Sequence, residues 1–139
     1  MVDRIWRVRL VALACVAGLL AVALGIRMLA SGASVLDSSG ALAQYSGTVL
    51  YAAMVYAGVF LVAPTARPLV AGGVAIAFCW LVELLQLTGW PAELSERSVL
   101  ARLALGVEFD ASDLFWYVAG VLPLAVVHHA LVRPTSTQE

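Results

Sequence analysis

Four stretches of mainly apolar residues, each close to a membrane thickness long, leave this chain few folds to adopt. Residues 10–26 form an unbroken apolar run once the glycines are included, and residues 28–30 extend it past Arg27. Residues 47–63 are interrupted by Thr48, residues 69–87 by Glu83 and Gln86, and residues 114–132 near their end by His128 and His129. A helix needs about 20 mainly apolar residues to cross a hydrocarbon core ~30 Å thick. The runs therefore predict transmembrane helices over about residues 10–30, 47–63, 69–88 and 113–132, in one membrane domain filling residues 1–139. Membrane β-strands would show ~10-residue segments of polar and apolar alternation. These runs are apolar all round, so a barrel is excluded.

Composition agrees with the runs. The chain is 63% apolar and 12% charged, with mean hydropathy +0.96. A soluble domain is roughly 45–50% apolar and about 25% charged. The formal net charge of −1 leaves no basic face for nucleic acid. Arg4, Arg7 and Arg9 before the first run, with Ser31-Gly32-Ala33 after it, have the outline of a secretory leader. The run exceeds the roughly 7–15 apolar residues of such leaders, so it is expected to remain as a span.

Residues 31–40 form a polar, turn-rich link, and Pro64-Thr65-Ala66-Arg67-Pro68 a tight one, because proline cannot continue a helix interior. Residues 89–113 are the one long loop. Cytoplasmic loops retain positive charge. Arg4, Arg7, Arg9, Arg67 and Arg133 fall on one side, and Arg27, Arg97 and Arg102 on the other. The bias predicts both termini in the cytoplasm of a bacterial inner membrane, with the 89–113 loop outside.

Small residues let membrane helices approach closely. Ala14, Gly18, Ala21 and Gly25 make a small stripe on the first helix, and Gly72, Gly73 and Gly120 offer the same on later ones. Packing within the chain is expected rather than a dimer face. Trp6, Tyr45, Trp90, Trp116 and Tyr117 stand near the expected interfaces, where amphipathic rings anchor. His128 and His129 read as interfacial, and Cys15 and Cys79 as small apolar groups. Neither pair has metal-ligand or disulfide spacing, and no metal or cofactor is expected. Between residues 95 and 106, Val99, Leu100 and Leu103 share a face, with Ser95 placed to cap the start and Gly106 the end. This predicts a short amphipathic helix on the outer membrane surface.

Glu83 is the most informative residue. A charge in mid-span costs about 2.5–3.5 kcal/mol by insertion scales, so it should face the bundle interior and find a partner. Gln86 lies three residues on, on the same face. Glu83 should sit roughly 6–9 Å below the outer interface at the helical rise. Asp113 opens the fourth helix on that side, and Arg97 and Arg102 lie in the loop between. Folding the loop back would gather Glu83, Gln86, Arg97, Arg102 and Asp113 around one outward pocket, with Glu83 paired to Arg97 or Arg102. Guanidinium suits this place because its planar fork engages a carboxylate or phosphate through two bonds.

The residues Gly47-Thr48-Val49-Leu50-Tyr51, Glu83-Leu84-Leu85-Gln86-Leu87, Trp90, Arg97-Ser98, Leu105-Gly106, Phe109, Asp113 and Gly120 resemble a family of small bacterial membrane proteins, domain of unknown function 2809. The resemblance covers about residues 46–131. A weaker similarity is to VanZ-like proteins. The family resemblance implies that Glu83, Gln86, Arg97 and Asp113 belong to one site. It also implies an aspartate where this chain has Thr48, which argues against a proton relay through that position.

Four functions were weighed. The first is binding of a polar or anionic head group, from a lipid or cell-envelope precursor, with Arg97 and Arg102 on the anion. The second is a small proton-coupled transporter acting as a homo-oligomer through Glu83. An enzyme lacks an evident nucleophile or metal cluster and ranks low, with no catalytic residue assigned. A purely structural partner for another membrane protein is the last.

Overall fold

The computed structural model describes residues 1–32, 41–106 and 108–132. Among the described residues there are six helices and no strand: α1 (Val2–Gly32), α2 (Ala41–Val62), α3 (Pro68–Gln86), α4 (Trp90–Arg97), α5 (Val99–Leu105) and α6 (Ala111–Val132). Four of them are long and apolar enough to span a membrane, over Val2–Ile26, Gln44–Val62, Pro68–Gln86 and Ala111–Val132. The protein is an all-α, multi-pass membrane protein, as the four runs require.

Each boundary has a local cause. Pro68 opens α3, where its missing N–H is one that a helix start leaves unpaired anyway, and Arg67 before it is extended. Gly89, at φ 75°, makes the left-handed turn between α3 and α4. Asp110 opens α6, its Oδ1 accepting from the Ser112 backbone N–H at 2.8 Å and the Ser112 hydroxyl at 2.7 Å.

The 95–106 segment departs from the single helix expected. It is two short helices, α4 and α5, broken at an extended Ser98. Ser98, not Ser95, caps the second of them: its hydroxyl accepts from the Ala101 N–H at 3.3 Å. Ser95 is buried and donates to the Gly106 carbonyl at 2.9 Å. Gly106 does terminate α5, at φ 68°.

Helices α2, α3 and α6 pack on one another, while α1 packs mainly against α2. The seam of the three-helix core is made of small side chains: Ala52, Ala71, Ala75, Cys79 and Val121 are fully buried. Close approach is the main source of helix association where lipid is as apolar as leucine. A Cβ on Gly120 would lie 2.7 Å from the Val49 carbonyl oxygen, so α2 and α6 meet only because Gly120 has none. A Cβ on Gly72 would lie 2.9 Å from the Ala125 Cβ, which brings α3 against α6. Gly73 meets nothing within 4 Å. The α1 stripe does not pack inside the chain: Ala14, Gly18 and Ala21 are exposed, and a Cβ on Gly18 or Gly25 would meet nothing within 4 Å.

Candidate functional site

The buried face of α3 runs through Ala71, Ala75, Cys79 and Val82 and ends at Glu83. A stripe that begins apolar thus delivers a carboxyl group into the bundle, 1% exposed. Both of its oxygens are engaged. Oε1 accepts the Asp110 backbone N–H at 2.7 Å, and Oε2 accepts the Tyr117 hydroxyl at 2.9 Å. Two donors from the α6 end of the chain therefore satisfy a group on α3. The expected pairing with arginine is not what forms: among the described residues neither Arg97 nor Arg102 makes an ion pair with Glu83. Neutral donors suit this depth, since they spare the bundle the cost of stripping water from a guanidinium.

Asp110 is the junction of the site. Its N–H goes to Glu83 on α3, its Oδ1 caps α6, and its Oδ2 accepts the Gln44 side-chain amide of α2 at 2.7 Å. The Ser112 hydroxyl and then the Ser112 amide hold the Asp110 carboxyl below its ordinary range, against a contrary effect of burial that exceeds the lowering added by the Gln44 amide. Next to it, the Thr48 hydroxyl of α2 lies 3.1 Å from the Gln44 carbonyl and 3.1 Å from Asp113 Oδ1. A hydroxyl at position 48 thus bonds the carboxyl of α6 rather than adding another. Gln86 donates to the Leu105 carbonyl at 2.7 Å, and its Oε1 is buried with no partner. That contact fixes Gly106, since a Cβ there would come within 2.7 Å of Gln86 Nε2. Tyr51 holds the same stretch from α2, donating to the Ala104 carbonyl at 2.7 Å.

Most of these groups, though not Asp110 or Ser112, line one cavity of about 600 Å³. Glu83, Gln86, Arg102, Glu108 and Asp113 stand at its polar end, and Leu19, Leu20 and Leu24 of α1 with Leu50 and Met54 of α2 give it an apolar wall. Of the five residues expected to share a pocket, four line it. Arg97 does not; it ends α4 on an exposed face. Sequence reasoning missed Asp110, Tyr117 and Gln44. Tyr117, read as an interfacial anchor, is 6% exposed and donates inward. The spacing Asp110-Ala111-Ser112 before an apolar run was the available signal for the cap, and Tyr117 lies four residues from Asp113, on its face of α6.

At the other end of the core, Tyr56 and His128 Nδ1 are 2.9 Å apart, with Phe60 edge-on to Tyr56. His128 near the end of α6 is thus tied to α2.

A family model described as "Protein of unknown function (DUF2809)" matches residues 38–121. That stretch holds α2 to α5, the Glu83 site and the first half of α6. No curated protein and no solved structure matches the chain.

Proposed function

The chain belongs to the DUF2809 family of proteins of unknown function, and from that premise we propose that it binds the polar head group of a membrane amphiphile in the cavity beside Glu83. The observation that carries this reading is the shape of the lining. A polar end of Glu83, Gln86, Arg102 and Asp113 adjoins an apolar wall of leucines within about 600 Å³, a volume within the roughly 300–1,000 Å³ usual for ligand pockets. A lipid or lipid-linked envelope precursor has both parts. Arg102 contacts the acidic group of the ligand. Asp113 takes its hydrogen-bond donors. Glu83 holds the wall of the pocket through Asp110 and Tyr117. The arginine bias of the sequence orients this end away from the cytoplasm of a bacterial inner membrane.

The rival reading makes Glu83 the proton-carrying group of a small oligomeric transporter. Such a group must exchange its proton with the solute path. The two donors fixed on Glu83 favour binding over transport.

The test is mass spectrometry of the intact protein released from mild detergent. A retained amphiphile is expected, and Arg102→Ala should release it while thermal stability stays near that of the parent. Preparations that carry no amphiphile, and take up none when it is added, would remove this reading.

A further inference from the structure

We infer that the head group bound in this cavity carries a primary ammonium beside its phosphate, which makes the ligand an aminophospholipid and not a simple anionic lipid. The inference rests on the head-group reading above and adds the chemistry of the ligand. Among the described residues, three carboxyl side chains line the polar end, Glu83, Glu108 and Asp113, against one guanidinium, Arg102. Arg97, the second cation the loop could have supplied, lies outside the lining. A purely anionic head group would add negative charge to a surface already rich in it, and like charges brought together are disfavoured.

The open valences point the same way. Glu83 has both oxygens taken by Asp110 and Tyr117. Gln86 Oε1 is buried without a donor. Asp113 accepts from Thr48 through Oδ1, and among the described residues its second oxygen receives nothing. Glu108 is exposed at the rim. With Gln86 Oε1 closed off from the cavity, Asp113 and Glu108 are the acceptors it offers in want of donors. An ammonium brings three N–H donors and a positive charge. Arg102 is left to meet the phosphate, for which its fork is suited. The leucine wall from α1 commits the ligand to a lipid rather than a free amine.

The test uses the intact chain, delipidated in mild detergent and titrated with phosphatidylethanolamine, phosphatidylglycerol and phosphatidylcholine of matched acyl chains. Bound lipid is counted by native mass spectrometry. Phosphatidylethanolamine should bind about tenfold tighter than phosphatidylglycerol. Phosphatidylcholine, whose quaternary ammonium has no N–H, should fall with phosphatidylglycerol. Asp113→Asn and Glu108→Gln should each reduce the preference while helical content by circular dichroism is unchanged. Arg102→Ala should weaken all three lipids together. Equal or tighter binding of phosphatidylglycerol, or phosphatidylcholine matching phosphatidylethanolamine, would overturn the ammonium assignment and leave the head-group reading standing. Soluble phosphoethanolamine competing as well as the lipid would overturn the lipid assignment. Binding of none of the three would overturn both readings together.

Discussion

Helices α1 and α3 are both apolar enough to cross a membrane, and they use that apolarity differently. The most apolar window of α3 is 39% buried inside the protein, whereas that of α1 is 6% buried. Hydropathy therefore reports the capacity to span and says nothing of the capacity to pack. Small residues do not separate the two helices either. Gly18 and Ala21 on α1 face outward, whereas Ala71, Gly72 and Ala75 on α3 are buried. Helix α1 packs mainly on α2, whereas α3 packs on both α2 and α6 and has a polar end that pins it. Gly72 lies against Ala125 of α6, and Glu83 bonds Asp110 and Tyr117. In a solvent as apolar as the helix surface, complementary shape and hydrogen bonds decide which helices form the core.

The largest test of that contrast removes the pin. Glu83→Ala strands the Asp110 N–H and the Tyr117 hydroxyl. Hydrogen bonds to charged groups are worth about 1.5–3 kcal/mol each, so a loss of roughly 3–6 kcal/mol is expected by thermal or denaturant unfolding in nanodiscs. Glu83→Gln should be milder, since it keeps one acceptor. A double-mutant cycle with Tyr117→Phe should show coupling of about 0.5–3 kcal/mol, and cycles with Arg97→Ala or Arg102→Ala should be additive. Coupling to an arginine in place of Tyr117 would break the comparison, because α3 would then be pinned by its loop and not by α6.

The next test exchanges the two kinds of glycine. Gly120→Leu forces a side chain onto the Val49 carbonyl and should cost about 1–3 kcal/mol. Gly18→Leu on α1 meets open space and should stay within about 0.5 kcal/mol. Equal costs measured by the same unfolding assay would show that α1 packs as closely as the core.

The smallest effect is one of pH. The Asp110 carboxyl is held below its ordinary value of 3.8, chiefly by the Ser112 hydroxyl. A depressed folded value means that its contribution is present above the unfolded value and lost as pH falls through the folded one. The parent protein should therefore lose stability relative to Asp110→Asn as pH is lowered below that ordinary value. Parallel acid-unfolding curves for the two would show that the α6 cap draws nothing from the charge.

The spans were legible because burial in lipid imposes a length and a composition that any run of residues displays directly. Glu83 was legible for the same reason, as a charge where charges are rare. Gln86, Asp113 and Arg102 followed from helical spacing and chain order. The partners of Glu83 were not legible in that way. One is the backbone N–H of Asp110, a group every non-proline residue carries, and it becomes a partner only through the local path of the chain after Gly106. The other, Tyr117, sits beside Trp116 in a stretch that looks like an interfacial belt, and only the rotation of α6 decides that it turns inward. The break at Ser98 was missed because the apolar face of α5 and the polar residues of α4 read together as one amphipathic turn pattern.

The partners of Glu83 also have an order of arrival. Asp110 and Tyr117 are 27 and 34 positions later in the chain. At about 5–20 residues per second, translation delivers the tyrosine roughly 2–7 s after the glutamate. Throughout that interval α3 has a carboxyl group with no mate, at a cost of about 2.5–3.5 kcal/mol if it lies in hydrocarbon. The ribosome thus finishes α3 before the donors that satisfy its carboxyl group exist. Apolarity carries α3 into the bilayer, and the arrival of α6 is expected to lock it there.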